Sequence, residues 1–397
     1  MRRIDLKRAQ AAGAKTIRHI NRHIVLNYVR EREPISRAEI ARETALQRST
    51  VSTIVESLKA DGLIEEIGAG ESTGGRRPTL LRLRAAGATV IGVDITPTQT
   101  TIATSDLAGR VLAQTRFTTN ADYKKSLTRL IDCVFELAGT DFEQIDSIGV
   151  SLPGMVDPAS GKSLYVPYFK WRDLEIARDI AEATGLHVTI DNDANAAALA
   201  ELWFGRPEVS DARDFILVLV AEGVGTGIIF DGQIYRGERG AAGEFGHMII
   251  GRKGPTACSC GNFDCWEAFA SGRAAVARYQ RLLGAEERDA PDFCVLVERA
   301  LGGEQAAQTA LLDTAHYLGI GISNLVVGLS PEAVVVGGAI ARAWPLVAEA
   351  LVETIERSVR RGLPSARILA STLGRQPTLM GAISLVLARK FALVLQA

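Results

Sequence analysis

Apolar side chains recur at helical spacing near the start of the chain. Over residues 16–32, Ile17, Ile20, Ile24, Val25 and Tyr28 share one face, and Pro34 ends the run. Ser36-Arg37-Ala38-Glu39 reads as a capping box, in which Ser36 accepts the Glu39 N–H and Glu39 reaches back. It opens a short helix through about Thr44, with Ile40 and Ala41 turned inward. After a turn at Ala45-Leu46-Gln47, a third helix runs from about Ser49 to Asp61, with Val51, Ile54, Val55 and Leu58 at i, i+3, i+4, i+7. Two strands follow, Leu63 to Ile67 and Thr79 to Leu83, joined by a glycine-rich tip over 68–78. A short helix, a tight turn and a second helix predict a helix-turn-helix, and the two strands predict its wing.

Beyond residue 85 the pattern becomes that of an α/β protein. Apolar strands are expected at Val90 to Val93, Thr100 to Thr104 and Val111 to Thr118, with a turn at Asp106-Leu107-Ala108-Gly109. A helix over 123–139, a strand at Ile145 to Ser151, a helix over 174–185 and a strand at His187 to Ile190 come next. That last strand ends at Asp191-Asn192-Asp193-Ala194-Asn195, where an alanine-rich helix begins. The pattern then restarts at Phe215 to Val220, continues through Gly223-Val224-Gly225-Thr226-Gly227-Ile228-Ile229 and turns at Asp231-Gly232. Such a restart predicts two similar lobes with a cleft between them. Long helices over 305–328 and 377–395 flank the strand Ala333 to Val336, and the second should pack back on the first lobe. The expected division is a winged head over 1–85, a first lobe over 86–204 completed by 377–397, and a second lobe over 205–376.

Charge separates head from body. Residues 1–85 carry 17 Lys and Arg against 10 Asp and Glu, and the rest of the chain 28 against 36, although the net charge is only −1. A basic head on an acidic body predicts that the head alone meets a polyanion. Arg48, Ser49, Thr50, Ser52 and Thr53 cluster at the start of the third helix, with Lys59 further along the same outward face. Arginine reads guanine and hydroxyls suit phosphates or base edges. Arg76 and Arg77 on the wing tip suit a minor groove or phosphates. The alternative is a three-helix protein-interaction domain. The 47% hydrophobic and 23% charged shares are ordinary for a globular protein. Met1-Arg2-Arg3-Ile4-Asp5 does not read as a secretory signal, and no apolar run was expected to span a bilayer, which together predict a cytoplasmic protein without a membrane partner.

Three of the five cysteines fall in Cys258-Ser259-Cys260-Gly261-Asn262-Phe263-Asp264-Cys265, with His247 eleven residues upstream. Three thiolates and one imidazole form a closed tetrahedral set for Zn²⁺, which predicts a structural ion. Free thiols in a reducing compartment are the alternative; adjacent Cys258 and Cys260 do not pair easily as a disulfide. Cys133 and Cys294 sit in apolar helical patterns and are expected to be buried.

Together, Glu244-x-Gly-His247, the Cys-x-Cys-Gly-x3-Cys-x-Glu stretch, Asn192-Asp193-Ala194-Asn195 and Gly337-Gly338 after an apolar strand resemble the ROK family of repressors, open reading frames and sugar kinases. The resemblance covers essentially the whole chain, and a fused winged helix is typical of the repressor branch, which includes xylose and N-acetylglucosamine repressors. It implies a two-lobe actin/hexokinase-like (ribonuclease H-like) body, zinc on His247, Cys258, Cys260 and Cys265, and sugar in the cleft. Asn192 and Asp193 would hold hydroxyls from one lobe, Glu244, His247 and Glu267 from the other, with the backbone at Gly154 against the ring. Taken singly, Asp193 could instead be a helix N-terminal residue and Glu244 and Glu267 solvated charges.

In kinase members the aspartate matching Asp193 is the base that deprotonates the sugar. Here the first phosphate loop departs from Asp-x-Gly-Gly-Thr-Lys: it reads Asp94-Ile95-Thr96-Pro97-Thr98-Gln99, with two glycines and the cation gone. Pro97 has no N–H to donate. Asp193 is therefore expected to be a vestigial base, with no catalysis. Tyr168-Phe169-Lys170-Trp171 replaces a common Asn-Leu-x-Trp, so one sugar-contacting asparagine is missing. The resulting expectation is a sugar-responsive repressor. It would bind an inverted-repeat operator as a homodimer or higher homo-oligomer and be released by a sugar or sugar phosphate. A ROK sugar kinase and a regulator released by a protein partner are the alternatives.

Overall fold

The computed structural model describes residues 14–70, 77–284, 290–358 and 366–391. The head comprises α1 (Ala14–Arg32), β1 (Ile35–Ser36), α2 (Arg37–Thr44), α3 (Arg48–Ala60), β2 (Ile64–Ala69) and β3 (Thr79–Leu83). Ser36 caps α2, and both halves of the capping box are present. The inward face of α3 is Val51, Ile54, Val55 and Leu58, all buried, as its periodicity requires. β2 and β3 pair antiparallel as a wing, and β1 joins the far edge of β3.

The first lobe is built on β4 (Thr89–Ile95), β5 (Gln99–Ser105), β6 (Val111–Thr118), β7 (Ile145–Leu152) and β11 (His187–Asn192). They form one sheet in the order β11-β7-β4-β5-β6. Helices α4 (Tyr123–Ala138) and α5 (Ile176–Thr184) belong to it. Three short strands, β8 (Met155–Asp157), β9 (Lys162–Val166) and β10 (Trp171–Leu174), make a separate small sheet between β7 and α5. Nothing in the sequence pattern announced them, because each is short and alternates irregularly between buried and exposed positions.

After α6 (Asp193–Phe204) and the single turn α7 (Pro207–Ser210), the topology repeats. The strands β12 (Phe215–Val220), β13 (Val224–Phe230), β14 (Gln233–Ile234), β15 (Ala333–Gly338) and β16 (Arg367–Ala370) are ordered β14-β13-β12-β15-β16. In both sheets the first three strands form an antiparallel meander, and the last two add in parallel beside the first. Between β14 and β15 lie α8 (Trp266–Ala270), α9 (Gly272–Leu283), α10 (Phe293–Leu301) and α11 (Gln305–Leu329); α12 (Trp344–Ser358) separates β15 from β16.

By length and composition α11 would be long enough to cross a membrane, although no membrane-spanning run is expected from the sequence. Its apolar face is instead covered by the second-lobe core, with Leu311, Leu318 and Ile322 fully buried. Gly321 leaves the room occupied by the indole of Trp266, because a Cβ there would overlap the ring.

The last helix, α13 (Pro377–Phe391), lies on the first-lobe sheet and alongside α6. Its far end enters the head. Ile383, Val386, Leu387 and Phe391 share one buried cluster with Val25, Val29, Ile54 and Leu83. Asn27 donates to the Phe391 carbonyl at 2.6 Å, and the Arg30 guanidinium sits 4.0 Å over the Trp203 ring at the end of α6. Head and body thus meet through a packed apolar interface.

Candidate functional site

Between the two sheets lies a cavity of about 570 Å³, large enough for a monosaccharide and its water. Two hairpin turns occupying equivalent places in the two sheets face it, 95–99 from the first lobe and 220–224 from the second. The N-terminus of α6 forms its floor. Asn192 caps α6, its Oδ1 accepting from the Ala194 and Asn195 N–H groups, while its Nδ2 donates to the Gly154 carbonyl at 2.8 Å. Most of the Asn192 amide is therefore used within the protein, and one N–H remains for a ligand. Gly154 holds φ at +89° beneath Pro167, in the left-handed region that favours glycine.

Asp193 follows at the cavity floor, and burial pushes its carboxyl up to about 7, with Asp94 adding to the rise. Asp94, at the end of β4, is pushed up to about 6 by burial, against the Thr378 hydroxyl that donates to it at 2.7 Å. Its other oxygen is buried without a partner among the described residues. Opposite stand Glu244 and His247, on one 3₁₀ turn. The two ring nitrogens of His247 face different ways: Nδ1 lies 3.2 Å from Cys258 Sγ and Nε2 lies 3.4 Å from Glu244 Oε2.

Glu267, on the first turn of α8, is only 7% exposed, which rules out a solvated surface charge. One oxygen accepts from the Ser259 N–H at 2.7 Å and from Arg273 at 2.9 Å, and the other from the Val224 N–H at 3.2 Å. It ties the cysteine loop, the second-lobe hairpin and α9 together at the cavity wall. The same crowding explains Gly223, where a Cβ would overlap Glu267 Oε2.

His247, Cys258, Cys260 and Cys265 bring one ligand atom each to within 4.8 Å of one another, so the group is able to hold a metal ion. The Cys260–Cys265 sulfur separation is 3.7 Å, close to the edge of about 3.8 Å that Zn–S bonds of about 2.3 Å set in a tetrahedron. Cys133 is buried as expected; Cys294 is not, because the second residue of α10 faces the cavity mouth.

The two hairpins that face the cavity differ from a phosphate cradle. In the first turn, the Thr96 N–H and hydroxyl both donate to the Gln99 carbonyl, and the Gln99 N–H donates to the Thr96 hydroxyl. The turn is closed on itself. In the second, Gly225 and Gly227 lie against α6, where a Cβ would press on Ala194 or Ala198. Those glycines serve strand–helix packing.

Sequence reasoning missed Asp191, Arg236 and Tyr168. Asp191, fully buried at the end of β11, accepts Nε and Nη2 of Arg236, both at 2.8 Å, on one oxygen; on the other it takes the Asn192 N–H and the Asn195 amide. That ion pair joins the two lobes directly behind the Asn192–Asp193 turn. The partners are 45 residues apart, and no local pattern links them.

On the head, Arg48, Ser49, Thr50, Ser52 and Thr53 lie on the outward side at the start of α3, with Arg48, Ser49 and Thr53 exposed. Thr53 donates its hydroxyl to the Ser49 carbonyl. Lys59 lies further along α3, where its ammonium contacts Glu66 at 2.8 Å and Glu56 at 3.6 Å, so its charge is shared within the head. Arg77 is exposed, and Arg76 lies outside the described residues.

Residues 90–389 match the ROK family, and residues 19–77 the MarR family. The xylose repressor of Caldicellulosiruptor bescii is 33% identical over 386 residues, covering 94% of this chain and 96% of its own. A crystal structure of a ROK family transcriptional regulator, a homologue of the Escherichia coli Mlc protein, is 28% identical with a TM-score of 0.79, covering 95% of this chain and 97% of that one. A ROK family glucokinase from Streptomyces griseus, in complex with glucose and AMPPNP, is 29% identical with a TM-score of 0.69; it covers 76% of this chain and 100% of its own. With a MarR-type winged helix fused to an actin-like body that matches over its full length, the chain belongs to the ROK family.

Proposed function

We propose that this protein is a sugar-responsive transcriptional repressor. Its winged head, within residues 1–85, would bind an operator, and a sugar in the interlobe cleft would release it. The observation that carries this reading is the course of α6 and α13. Each begins at the cleft, α6 with Asp193 and α13 with Thr378 on Asp94, and each ends in or against the head, at Trp203 and Phe391. A ligand that favours one lobe arrangement would thus act on the elements that hold the head, in proportion to its differential affinity for the two arrangements.

Hydroxyl groups of a sugar would be accepted by Asp193 and Glu244, with the remaining Asn192 N–H, His247 Nε2 and the free edge of Glu267 completing the set, and the Gly154 backbone against the ring. Zn²⁺ on His247 and the three cysteines would be structural; when bound it neutralises thiolate charge and fixes the loop that presents Ser259 to Glu267. Arg48, Ser49, Thr50, Ser52 and Thr53 would meet the major groove, and Arg76 and Arg77 a minor groove or phosphates. Lys59 would act through the head's own ion pairs. A homodimer would match an inverted-repeat operator, by two-fold symmetry.

Fluorescence anisotropy of the head's operator DNA, taken from the gene's own upstream region, tests the reading across a sugar panel. Asp193→Ala and Glu244→Ala are expected to bind operator as the parent does but to lose release by sugar. Loss of operator binding in both well-folded variants would overturn it. The kinase reading rests on the likeness to the glucokinase. Against it stand the closed first turn and Pro97; an assay with ATP, Mg²⁺ and hexoses is expected to give turnover well below about 1 s⁻¹.

A further inference from the structure

The loop between β9 and β10 sends its aromatic side chains in two directions. Phe169 and Trp171 turn into the first-lobe core, their rings 4.6 Å apart, and Trp171 donates its Nε1–H to the Ala121 carbonyl. They fix the loop. Tyr168, between Pro167 and Phe169, turns the other way, into the cleft. Its ring lies 5.8 Å from the Arg273 guanidinium, and its hydroxyl would stand 3.1 Å from a Cβ at Gly223. Both neighbours belong to the opposite lobe, so a first-lobe phenol reaches across the cleft to the wall that Glu267 holds.

Two features call for an explanation. First, the half-buried phenol lines the ligand cavity instead of packing in the first-lobe core with its neighbours, so its polar tip is placed to meet a bound ligand. Second, the ring leaves little room at that end, since even the hydrogen of Gly223 faces it. The charged groups that act on the phenol are Glu267, Arg273, Asp193 and Glu222, with Arg273 already paired to Glu267. A neutral hydroxyl suits that surrounding as both donor and acceptor. A phosphate would meet carboxylates there, and an acetamido group would need the volume of the ring.

We propose that Tyr168 is a specificity-determining residue of the ligand site. It closes the Glu267 end of the cleft and admits a neutral sugar whose edge there carries nothing larger than a hydroxyl. A pentopyranose or an unsubstituted hexopyranose fits; a 2-acetamido sugar or a sugar phosphate does not. This inference rests on the sugar reading above, and narrows its effector from sugar or sugar phosphate to the neutral class.

Isothermal titration calorimetry of the full-length protein with D-xylose, D-glucose, N-acetyl-D-glucosamine and D-glucose 6-phosphate tests it. The parent protein is expected to bind one of the first two at least about tenfold more tightly than either of the last two, the scale on which a filled pocket rejects an added group. Tyr168→Ala should shrink that gap to about threefold or less, by gaining affinity for a substituted sugar. Tyr168→Phe, which keeps the ring and removes the hydroxyl, should preserve the ranking while weakening the preferred sugar. Operator binding and zinc content report folding; if Tyr168→Ala fails them, Tyr168→Leu takes its place. Equal or tighter binding of a substituted sugar by the parent overturns the inference, as does an unchanged ranking in the shortened variant. If no sugar binds parent or variants, the sugar reading itself falls and takes this inference with it.

Discussion

The turns at 95–99 and 220–224 occupy equivalent places in two sheets of identical strand order, and both look into the same cavity. Their chemistry has diverged. The first satisfies its own polar groups through Thr96 and Gln99 and carries Pro97 at its tip. The second offers its Val224 N–H to Glu267 and keeps a glycine where any side chain would displace that carboxylate. The difference teaches that topology supplies a place, while the residues at that place decide whether it holds a ligand wall or merely a turn. It also gives a physical reason for reading this body as a sensor: one of the two turns facing the cleft has no free run of N–H donors for phosphate.

The comparison makes the second lobe the vulnerable side. The largest effect is expected from Cys265→Ser or from stripping the metal with a chelator. The loop that presents Ser259 to Glu267 would lose its anchor, metal content should fall to near zero, and the thermal midpoint should drop by about 5 °C or more. Unchanged sugar response in a metal-free protein would break the proposed link between loop and wall.

Next comes Gly223→Val. Its side chain would collide with Glu267 and Tyr168, and overpacking of about 1–3 kcal/mol, if borne by the ligand wall, corresponds to roughly 5- to 150-fold weaker sugar binding. Calorimetry with the preferred sugar measures it.

A comparable but reversible loss should follow from pH. With the Asp193 carboxyl raised to about 7, the group is mostly ionised at about pH 8 and mostly protonated at about pH 6. The ionised form is the better acceptor of sugar hydroxyls, so affinity should fall about tenfold as pH drops through that window. Asp193→Asn should bind weakly and show a flat profile; a parent profile that rises on acidification would contradict the assignment. The smallest effect belongs to the first lobe. Pro97→Gly should leave sugar affinity and operator release within about twofold, because that turn, although it lines the cavity, is closed on its own hydrogen bonds and brings no proposed sugar ligand. A larger change would mean that the two turns are more alike in function than their hydrogen bonds imply.

Legibility in the sequence followed distance along the chain. The head could be read nearly element by element, since a capping box spans four residues and the Val51–Leu58 stripe spans two turns. The restart of the strand pattern at Phe215 anticipated a second, similar lobe; that its sheet repeats the strand order of the first came from the structure. The group able to hold a metal ion was equally visible, with its four side chains between His247 and Cys265. The small sheet β8–β10 was not, because three- to five-residue strands carry too little periodicity to separate from loop. Cys294 was expected inside on helical spacing and is exposed, because the cleft opens at the start of α10.

The sequence by itself determined the winged head, its charge, the two-lobe body and the one-histidine, three-cysteine group able to hold a metal, because each is written in short-range patterns of apolar spacing, capping or donor type. Only the tertiary structure decided which carboxylates meet. Asp193 and Glu267 are brought to one cavity by the packing of the two lobes through α6 and α13; Asp191 finds Arg236 across the lobes, and Tyr168 reaches the wall beside Gly223. The reason is physical. Burial and contact between distant residues depend on how whole layers pack, and that packing places α6 and α13 between the cleft and the head.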